Sequence, residues 1–296
     1  MTSTPVSFQP LRGVRILSLA LNLPGPAALM RLAQMGAACR KLEPPAGDPM
    51  AQYSPAAYDA LHQGIARLTA DLKTDAGQQQ LQQELAESDV LITSFRPSAL
   101  RKLGLDWPAL RQRHLRLSLI AIYGAPGERA EEPGHDLTYL AENNLVTGLA
   151  LPATLYADMA GALMASEAVL QAVLHQRGEG AGVHLEIALS GAAGFLALPR
   201  AWGLTQDGAD IGGGHAGYRV YACQDGRVAL AALEPHFAAR LCAAAGIDLP
   251  ESAAGLTNTM RAPATHEAVA AFLHRHTRRQ LDALALDKDI PLHTMR

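Results

Sequence analysis

Between residues 11 and 123, short β-rich runs alternate with helical segments. This alternation is typical of a parallel sheet covered by helices. The predicted strands are Val14–Leu19, Cys39–Glu43, Ala66–Leu72, Asp89–Phe95, Leu115–Tyr123 and, further along the chain, His184–Leu189. The predicted helices are Pro26–Gln34, Asp75–Ala86, Ala99–Leu103, Leu137–Asn143 and Ala157–Gln176. The sequence therefore predicts an α/β first domain over residues 1–190.

The character of the chain changes after Ser190. Gly/Ala-rich sequence and the run Gly208–Gly217 are expected to interrupt regular structure, which indicates a linker over 191–210. Residues 211–296 are predicted to form a smaller α+β domain that begins with a hairpin around Asp225-Gly226, a pair that supplies the positive φ of a tight turn. Its strands and helices are predicted at Tyr218–Cys223, Arg227–Ala232, Pro235–Ala245, Thr265–His274 and Thr277–Ala285.

Composition excludes several classes of partner. The 296 residues include 25 Lys+Arg and 28 Asp+Glu, and only 5% are aromatic, so the charge and stacking surface of a nucleic-acid binder are missing. The three cysteines are odd in number and far apart, which indicates a reducing compartment. The amino terminus has no signal-peptide pattern, and no uninterrupted apolar run reaches membrane-spanning length. We expect a cytoplasmic protein without a membrane or nucleic-acid partner.

Two patterns suggest a cofactor, and neither has the context it requires. Gly212–Gly217 satisfies GxGxxG, but a dinucleotide loop follows a strand and opens a helix, whereas this run precedes a predicted strand. His274 and His276 point to opposite faces of a helix, and no metal-ligand spacing is evident. The sequence predicts neither a nicotinamide cofactor nor a metal site.

Three short segments carry side chains that can move protons. His135 and Asp136 lie in a turn before a helix, Asp158 stands among small residues at a helix start, and Glu234 lies between a strand and a helix. Each has a structural alternative. His135 can be a turn histidine bonded to backbone, Asp158 an N-cap, and Glu234 a carboxylate that only complements a helix end.

The order of these segments along the chain resembles that of the family III CoA-transferases, which include α-methylacyl-CoA racemase. The similarity covers nearly the whole α/β half, through the segments 11–17, 23–26, 35–37, 41–49, 70–73, 88–97 and 103–105. Within the family, 134–139 (GHDLTY) resembles the GHDxxY segment of the racemase branch, and 233–237 (LEPHF) resembles its IEPQF segment. Asp158 stands where the family carries an essential aspartate.

The resemblance implies a Rossmann-like large domain, a small α+β domain and two chains interlocked as linked rings. It implies coenzyme A as part of an acyl-CoA substrate, with its adenine and phosphates held by the large domain. Arg96 matches a CoA-contacting arginine, and Arg67 is the clear match within the family's basic segment. Lys41 is expected to compensate for an arginine replaced by Pro44-Pro45. Relatives continue beyond the position of Arg296 with a tail that returns to the large domain, so we expect a fold without it.

The resemblance also implies the chemistry. In a racemase, His135 and Asp158 alternate as base and acid at the α-carbon of a 2-methylacyl-CoA, while Glu234 and Asp136 hold or polarise them. In a CoA transferase, Asp158 is instead a nucleophile that forms a mixed anhydride and then a thioester. A homologue that only binds acyl-CoA is the third hypothesis.

Overall fold

The computed structural model describes residues 8–250 and 253–296. The chain forms two compact units, of which the first ends at Ala197 and the second is Leu198–Arg296. This division falls inside the segment that the sequence predicts as a linker. The assignment of these units to separate functional domains remains a prediction.

The first unit alternates strands and helices in the predicted order. Its strands are β1 (Arg15–Ser18), β2 (Ala38–Glu43), β3 (Ala66–Thr69), β4 (Val90–Thr93), β5 (Ser118–Tyr123) and β6 (His184–Ala188). Its helices are α1 (Pro24–Gln34), α2 (Met50–Tyr53), α3 (Pro55–Leu61), α4 (Asp75–Ala86), α5 (Pro97–Leu103), α6 (Trp107–Arg113), α7 (Asp136–Glu142), α8 (Tyr156–Glu179) and α9 (Leu189–Leu196). The sequence missed the short helices α2, α3 and α6, which lie in segments between predicted strands.

All six strands run parallel in the order β3-β2-β1-β4-β5-β6. Alternate residues of a strand face opposite sides of the sheet, and here both sides are buried. Ile16 packs with α1 and α8 on one side, whereas Leu17 packs with α4, α5 and α6 on the other. The predicted doubly covered α/β sheet is confirmed.

Helix α8 is long and apolar enough to cross a membrane by length and composition. However, 56% of its apolar window is buried inside the structure, where small residues such as Ala162, Ala165 and Ala172 pack against the sheet. Its composition is that of a core helix.

The expectation that glycine and alanine would interrupt regular structure after Ser190 is wrong, because 189–196 forms α9. Small residues permit close approach here. A Cβ at Gly161 of α8 would meet the Leu189 side chain at 2.2 Å, and Ala192 and Ala193 are fully buried. Tertiary packing therefore compensates for the weak helix propensity of the glycines.

The second unit contains an antiparallel sheet in the order β7-β8-β9. Its elements are α10 (Leu198–Ala201), β7 (Tyr218–Cys223), β8 (Gly226–Ala231), α11 (Pro235–Ala245), α12 (Ala253–Arg261), α13 (Pro263–His274), α14 (Arg278–Lys288) and β9 (Leu292–Met295). The predicted hairpin is confirmed, whereas the pairing of β9 with β8 was not foreseen. The run Gly212–Gly217 precedes β7, so it lacks the strand-before-helix context of a dinucleotide loop.

Candidate functional site

A cavity of about 200 Å³ lies at the carboxyl edge of the parallel sheet. Its walls include Leu21 and Asn22, which follow β1, and Ser94 and Arg96, which follow β4. Strands β1 and β4 are the neighbours at which the strand order reverses. Ligands of open α/β sheets bind at such a switch point. The fold alone therefore marks this cavity as the candidate site.

Asp158 lines the cavity as the third residue of α8. The N-cap of that helix is Leu155, which makes no side-chain capping bond, so the alternative that Asp158 is an N-cap is wrong. In the part of the chain that the structure describes, the carboxylate of Asp158 has no hydrogen bond or ion pair. Its oxygens are therefore available to a ligand.

Asp136 lies almost fully buried at the first position of α7. Its Oδ1 accepts a hydrogen bond from the backbone N–H of Asp158 at 2.9 Å. The first N–H groups of a helix have no partner within the helix, and here a carboxylate from another helix satisfies one of them. Asp136 thus positions Asp158 through its backbone.

His135 lines the same cavity and is solvent-exposed. It is the N-cap residue of α7, where its backbone N–H donates to the Thr138 hydroxyl at 3.1 Å. The structure therefore brings His135 and Asp158, 23 residues apart in sequence, to one cavity.

Burial and, to a smaller extent, the negative charge of Asp136 raise the pKa of Asp158 to about 6, whereas His135 opposes the shift. A carboxyl group with this pKa exchanges protons readily near neutral pH. The environment of Asp158 suits an acid–base group.

Tyr139 of α7 completes this side of the cavity. A Cβ at Gly124 would meet the Tyr139 hydroxyl at 2.2 Å, and one at Gly134 would meet its ring at 2.6 Å. These two glycines leave the space that the Tyr139 ring occupies. The pKa of Tyr139 is raised by burial and by Asp158, so its hydroxyl stays protonated at neutral pH.

The three basic residues predicted to bind coenzyme A lie in different environments. Arg96 lines the cavity beside His135 and Asp158, and its guanidinium forms no ion pair with any described residue. Arg67 is half-exposed on β3, where it pairs with Asp59 at 3.4 Å and lies over the Tyr58 ring.

Lys41, the third residue predicted to bind coenzyme A, is fully buried. Its ammonium lies 3.0 Å from a Glu43 oxygen, 2.5 Å from an Asp48 oxygen and 3.0 Å from His62 Nε2. These three neighbours surround the charge, and the contact of Lys41 with coenzyme A stays a prediction.

Glu234 belongs to the second unit, where it is exposed at the N-cap position of α11. Its side chain caps no backbone N–H of that helix. Its role toward His135 and Asp158 therefore stays a prediction.

A second cavity, of about 190 Å³ and mostly apolar, lies at the same sheet edge. It includes Leu72 and Lys73, which follow β3, and Phe95, which follows β4. In the sequence, Leu72 and Phe95 end two predicted strands and Lys73 lies in a segment that carries the family resemblance, but no site role is predicted for any of them. Their place directly after strands was the available signal, because loops after parallel strands meet at one edge.

Comparison with known proteins identifies the chain's relatives. The model of CoA-transferase family III matches residues 11–296. The chain belongs to this family. The solved structure of a hypothetical protein, Rv3272, from Mycobacterium tuberculosis is similar to this chain, with a TM-score of 0.84 and 26% sequence identity. The alignment covers 97% of this chain and 84% of the Rv3272 chain.

Two curated relatives carry different activities in their names. The probable fatty acyl-CoA transferase Rv3272 of M. tuberculosis is 32% identical over 64% of this chain and 52% of its own length. The α-methylacyl-CoA racemase of Mus musculus is 29% identical over 81% of this chain and 66% of its own. The match spans about half the length of the first of these relatives. The family is therefore shown, while the activity of this member is a separate question.

Proposed function

We propose that this protein acts on acyl-CoA thioesters. The first candidate function is the interconversion of the two configurations of a 2-methylacyl-CoA. The observation that carries this proposal is the shared cavity of His135 and Asp158, in which Asp158 has a pKa of about 6. A thioester acidifies its α-proton only modestly, so removal requires a positioned base and stabilisation of the enolate.

The two side chains divide the reaction. One takes the α-proton to give an enolate, and the other returns a proton to the opposite face, so the roles reverse with the enantiomer bound. The positive end of α8, in whose first turn Asp158 lies, favours the negative charge of the enolate. Asp136 keeps Asp158 in place by accepting a hydrogen bond from its backbone N–H.

Coenzyme A is proposed to lie along the carboxyl edge of the sheet. The apolar cavity beside Phe95 suits the adenine, because apolar walls with few polar groups are typical of such sites. Arg96 and Lys73 are proposed to contact the phosphates, and Arg67 remains a candidate. The thioester end then reaches the cavity that holds Asp158.

CoA transfer through Asp158 is the second candidate function. Two observations favour it: the carboxylate of Asp158 is free of hydrogen bonds from the described residues, and the first curated relative is named a probable fatty acyl-CoA transferase. In this reaction the Asp158 carboxylate attacks the thioester carbonyl, CoA thiolate leaves, and a mixed anhydride forms.

Proton NMR of 2-methylacyl-CoA in deuterated water distinguishes these functions. A racemase is expected to exchange the α-proton for deuterium, and His135→Ala to lower the rate of racemisation by at least about 100-fold. A transferase is expected to retain CoA transfer in His135→Ala. A wild-type protein that binds coenzyme A but performs neither reaction would contradict both and leave a binding homologue.

The pH dependence of turnover is expected to report Asp158. With Asp158 acting as base, kcat/KM falls below about pH 6 as the carboxylate becomes protonated. Asp136→Asn keeps an oxygen that can accept from the Asp158 N–H but removes a negative charge that raises the pKa of Asp158. The acid limb of the pH profile is therefore expected to move to lower pH. An unchanged limb would show that it belongs to another group.

A second copy of the chain is proposed to cover an apolar face of α8. Tyr156, Met159, Leu163 and Leu174 are all exposed and lie within one side of the helix, at a spacing that returns to the same face. Exposed apolar side chains on one side of a helix are typical of an interaction surface.

Light scattering is expected to give twice the chain mass of 31.3 kDa. Leu163→Glu is expected to shift the mass towards the monomer, because it places a charge on the proposed interface. Leu115→Glu, at another exposed leucine, serves as the control. A wild-type mass of one chain at all concentrations would contradict the dimer.

A further inference from the structure

Five polar side chains form a buried cluster beneath the sheet edge, outside the acid–base pair. Lys41 contacts Glu43, Asp48 and His62, while the Tyr58 hydroxyl donates to Glu43 at 2.8 Å. Lys41 and Asp48 are fully buried, and the other three are at most 8% exposed. Buried charges persist only where partners compensate their desolvation.

His62 completes the surroundings of the Lys41 ammonium as a neutral ring. Its Nε2 faces the ammonium and must accept, so its Nδ1 carries the proton and donates to the Tyr58 carbonyl at 2.6 Å. Burial lowers the pKa of His62, and the charge of Lys41 lowers it further. The cluster therefore holds one positive charge against two carboxylates.

Asp48 connects this cluster to backbone. Both of its carboxylate oxygens lie 3.1 Å from the Asn22 N–H, and Oδ1 also accepts from the Met50 N–H at 2.9 Å. Asn22 has φ of 65°, in the left-handed region that residues other than glycine seldom adopt. Asparagine tolerates this region better than most residues, and the Asp48 carboxylate accepts its backbone N–H there.

Asn22 is a wall of the cavity that contains His135, Asp158 and Arg96. It lies in the connection from β1 to α1, whose Pro24 lines the same cavity. A substitution of Asp48 would therefore alter the cavity by releasing the backbone of Asn22, which lines it.

We infer that Asp48, paired with Lys41, whose ammonium His62 also contacts, is a positioning residue that fixes the Asn22 wall of the acyl-CoA cavity. Lys41 then serves as the counter-charge of Asp48 and does not contact phosphate. The expected effect of Asp48 on acyl-CoA binding rests on the proposed function, whereas its expected effect on the Asn22 backbone does not.

The test compares Asp48→Asn with Asp89→Asn. Asp89 also accepts a backbone N–H, from Arg15 at 2.8 Å, but it lies at the opposite, amino edge of the sheet. Amide hydrogen exchange at Asn22, followed by mass spectrometry of the full chain, is expected to accelerate at least about tenfold in Asp48→Asn and to stay unchanged in Asp89→Asn.

Calorimetry and kinetics with 2-methylacyl-CoA give the second measurement. The Kd and KM are expected to rise at least about tenfold in Asp48→Asn, with less than about a threefold change in kcat, because the wall positions the ligand without touching the transferred proton. Asp89→Asn is expected to match the wild type in both constants.

Each other outcome contradicts a defined part of the inference. Unchanged exchange at Asn22 in Asp48→Asn overturns it outright. Faster exchange with unchanged Kd and KM leaves Asp48 structural and overturns its positioning role. Equal effects in Asp89→Asn show general loosening and also overturn it. Failure of the wild type to bind 2-methylacyl-CoA contradicts the proposed function instead, and the exchange measurement still decides whether Asp48 holds Asn22.

A pair of His62 variants tests the inference if Asp48→Asn does not fold. His62→Leu removes the acceptor for Lys41, whereas His62→Gln offers an amide oxygen in its place. Exchange at Asn22 is expected to be at least about threefold faster in His62→Leu than in His62→Gln. Equal exchange in the two variants would contradict the supporting role of His62 and, with it, the inference.

Discussion

Replacement of Asp158 by asparagine is expected to lower turnover of acyl-CoA by about 10²–10⁴-fold. The substitution preserves the size of the side chain, and the Asp136 oxygen still accepts from the residue-158 N–H. It removes the only group that both candidate reactions require, as acid–base in one and nucleophile in the other. The α-proton exchange and CoA-transfer assays measure the loss.

The Tm of Asp158→Asn shows whether the loss of turnover comes from unfolding of the variant. The pKa of Asp158 rises from 3.8 to about 6 in the folded state, so the unfolded chain releases its proton first as the pH increases. Ionised Asp158 therefore costs stability above about pH 6, and Asp158→Asn is expected to show an unchanged or higher Tm at pH 7. Asp75→Asn, which changes another first-turn aspartate, is the control for activity. Retained turnover in Asp158→Asn would contradict both proposed reactions.

Replacement of Lys41 by methionine is expected to lower the free energy of unfolding by about 3–5 kcal/mol. Methionine fills similar space but leaves the buried carboxylates of Glu43 and Asp48 without their counter-charge. This loss is a large part of the stability of a typical domain. Urea unfolding followed by circular dichroism measures it.

Lys102→Met is the matched control, because Lys102 is exposed on α5 and forms no ion pair with any described residue. Its expected effect is within about 0.5 kcal/mol. A Lys41→Met variant as stable as this control would show that the buried cluster contributes no net stability. Coenzyme A affinity of the Lys41→Met variant tests the earlier prediction for Lys41, since a lysine that contacts coenzyme A would affect this affinity more than folding.

Much of the first unit follows from local sequence signals. Helix α4 has the predicted bounds, with Thr74 as its N-cap, and the six predicted strands all occur, five of them shorter than predicted and β2 longer by one residue. Strand ends are harder to predict because hydrogen bonds to neighbouring strands decide them. The failure at α9 has the same origin, since its glycines and alanines are helical only against α8.

Some features of the candidate site could also be predicted from the sequence, whereas others could not. Residue type and family resemblance indicated His135, Asp158 and Arg96, which line one cavity. The backbone bond from Asp136 to Asp158 and the burial of Lys41 could not be read from the chain, because each depends on segments about twenty residues apart that meet only after folding.

The sequence by itself determined the α/β class, the order of the strands along the chain and the residues that can move a proton. These properties depend on the side-chain pattern within short segments and on the chemistry of single residues. Only the tertiary structure decided which charges are buried, which partners they have and which backbone groups they hold. The free energy of a charge depends on its surroundings, and for Lys41, Asp48 and Asp158 packing supplies those surroundings.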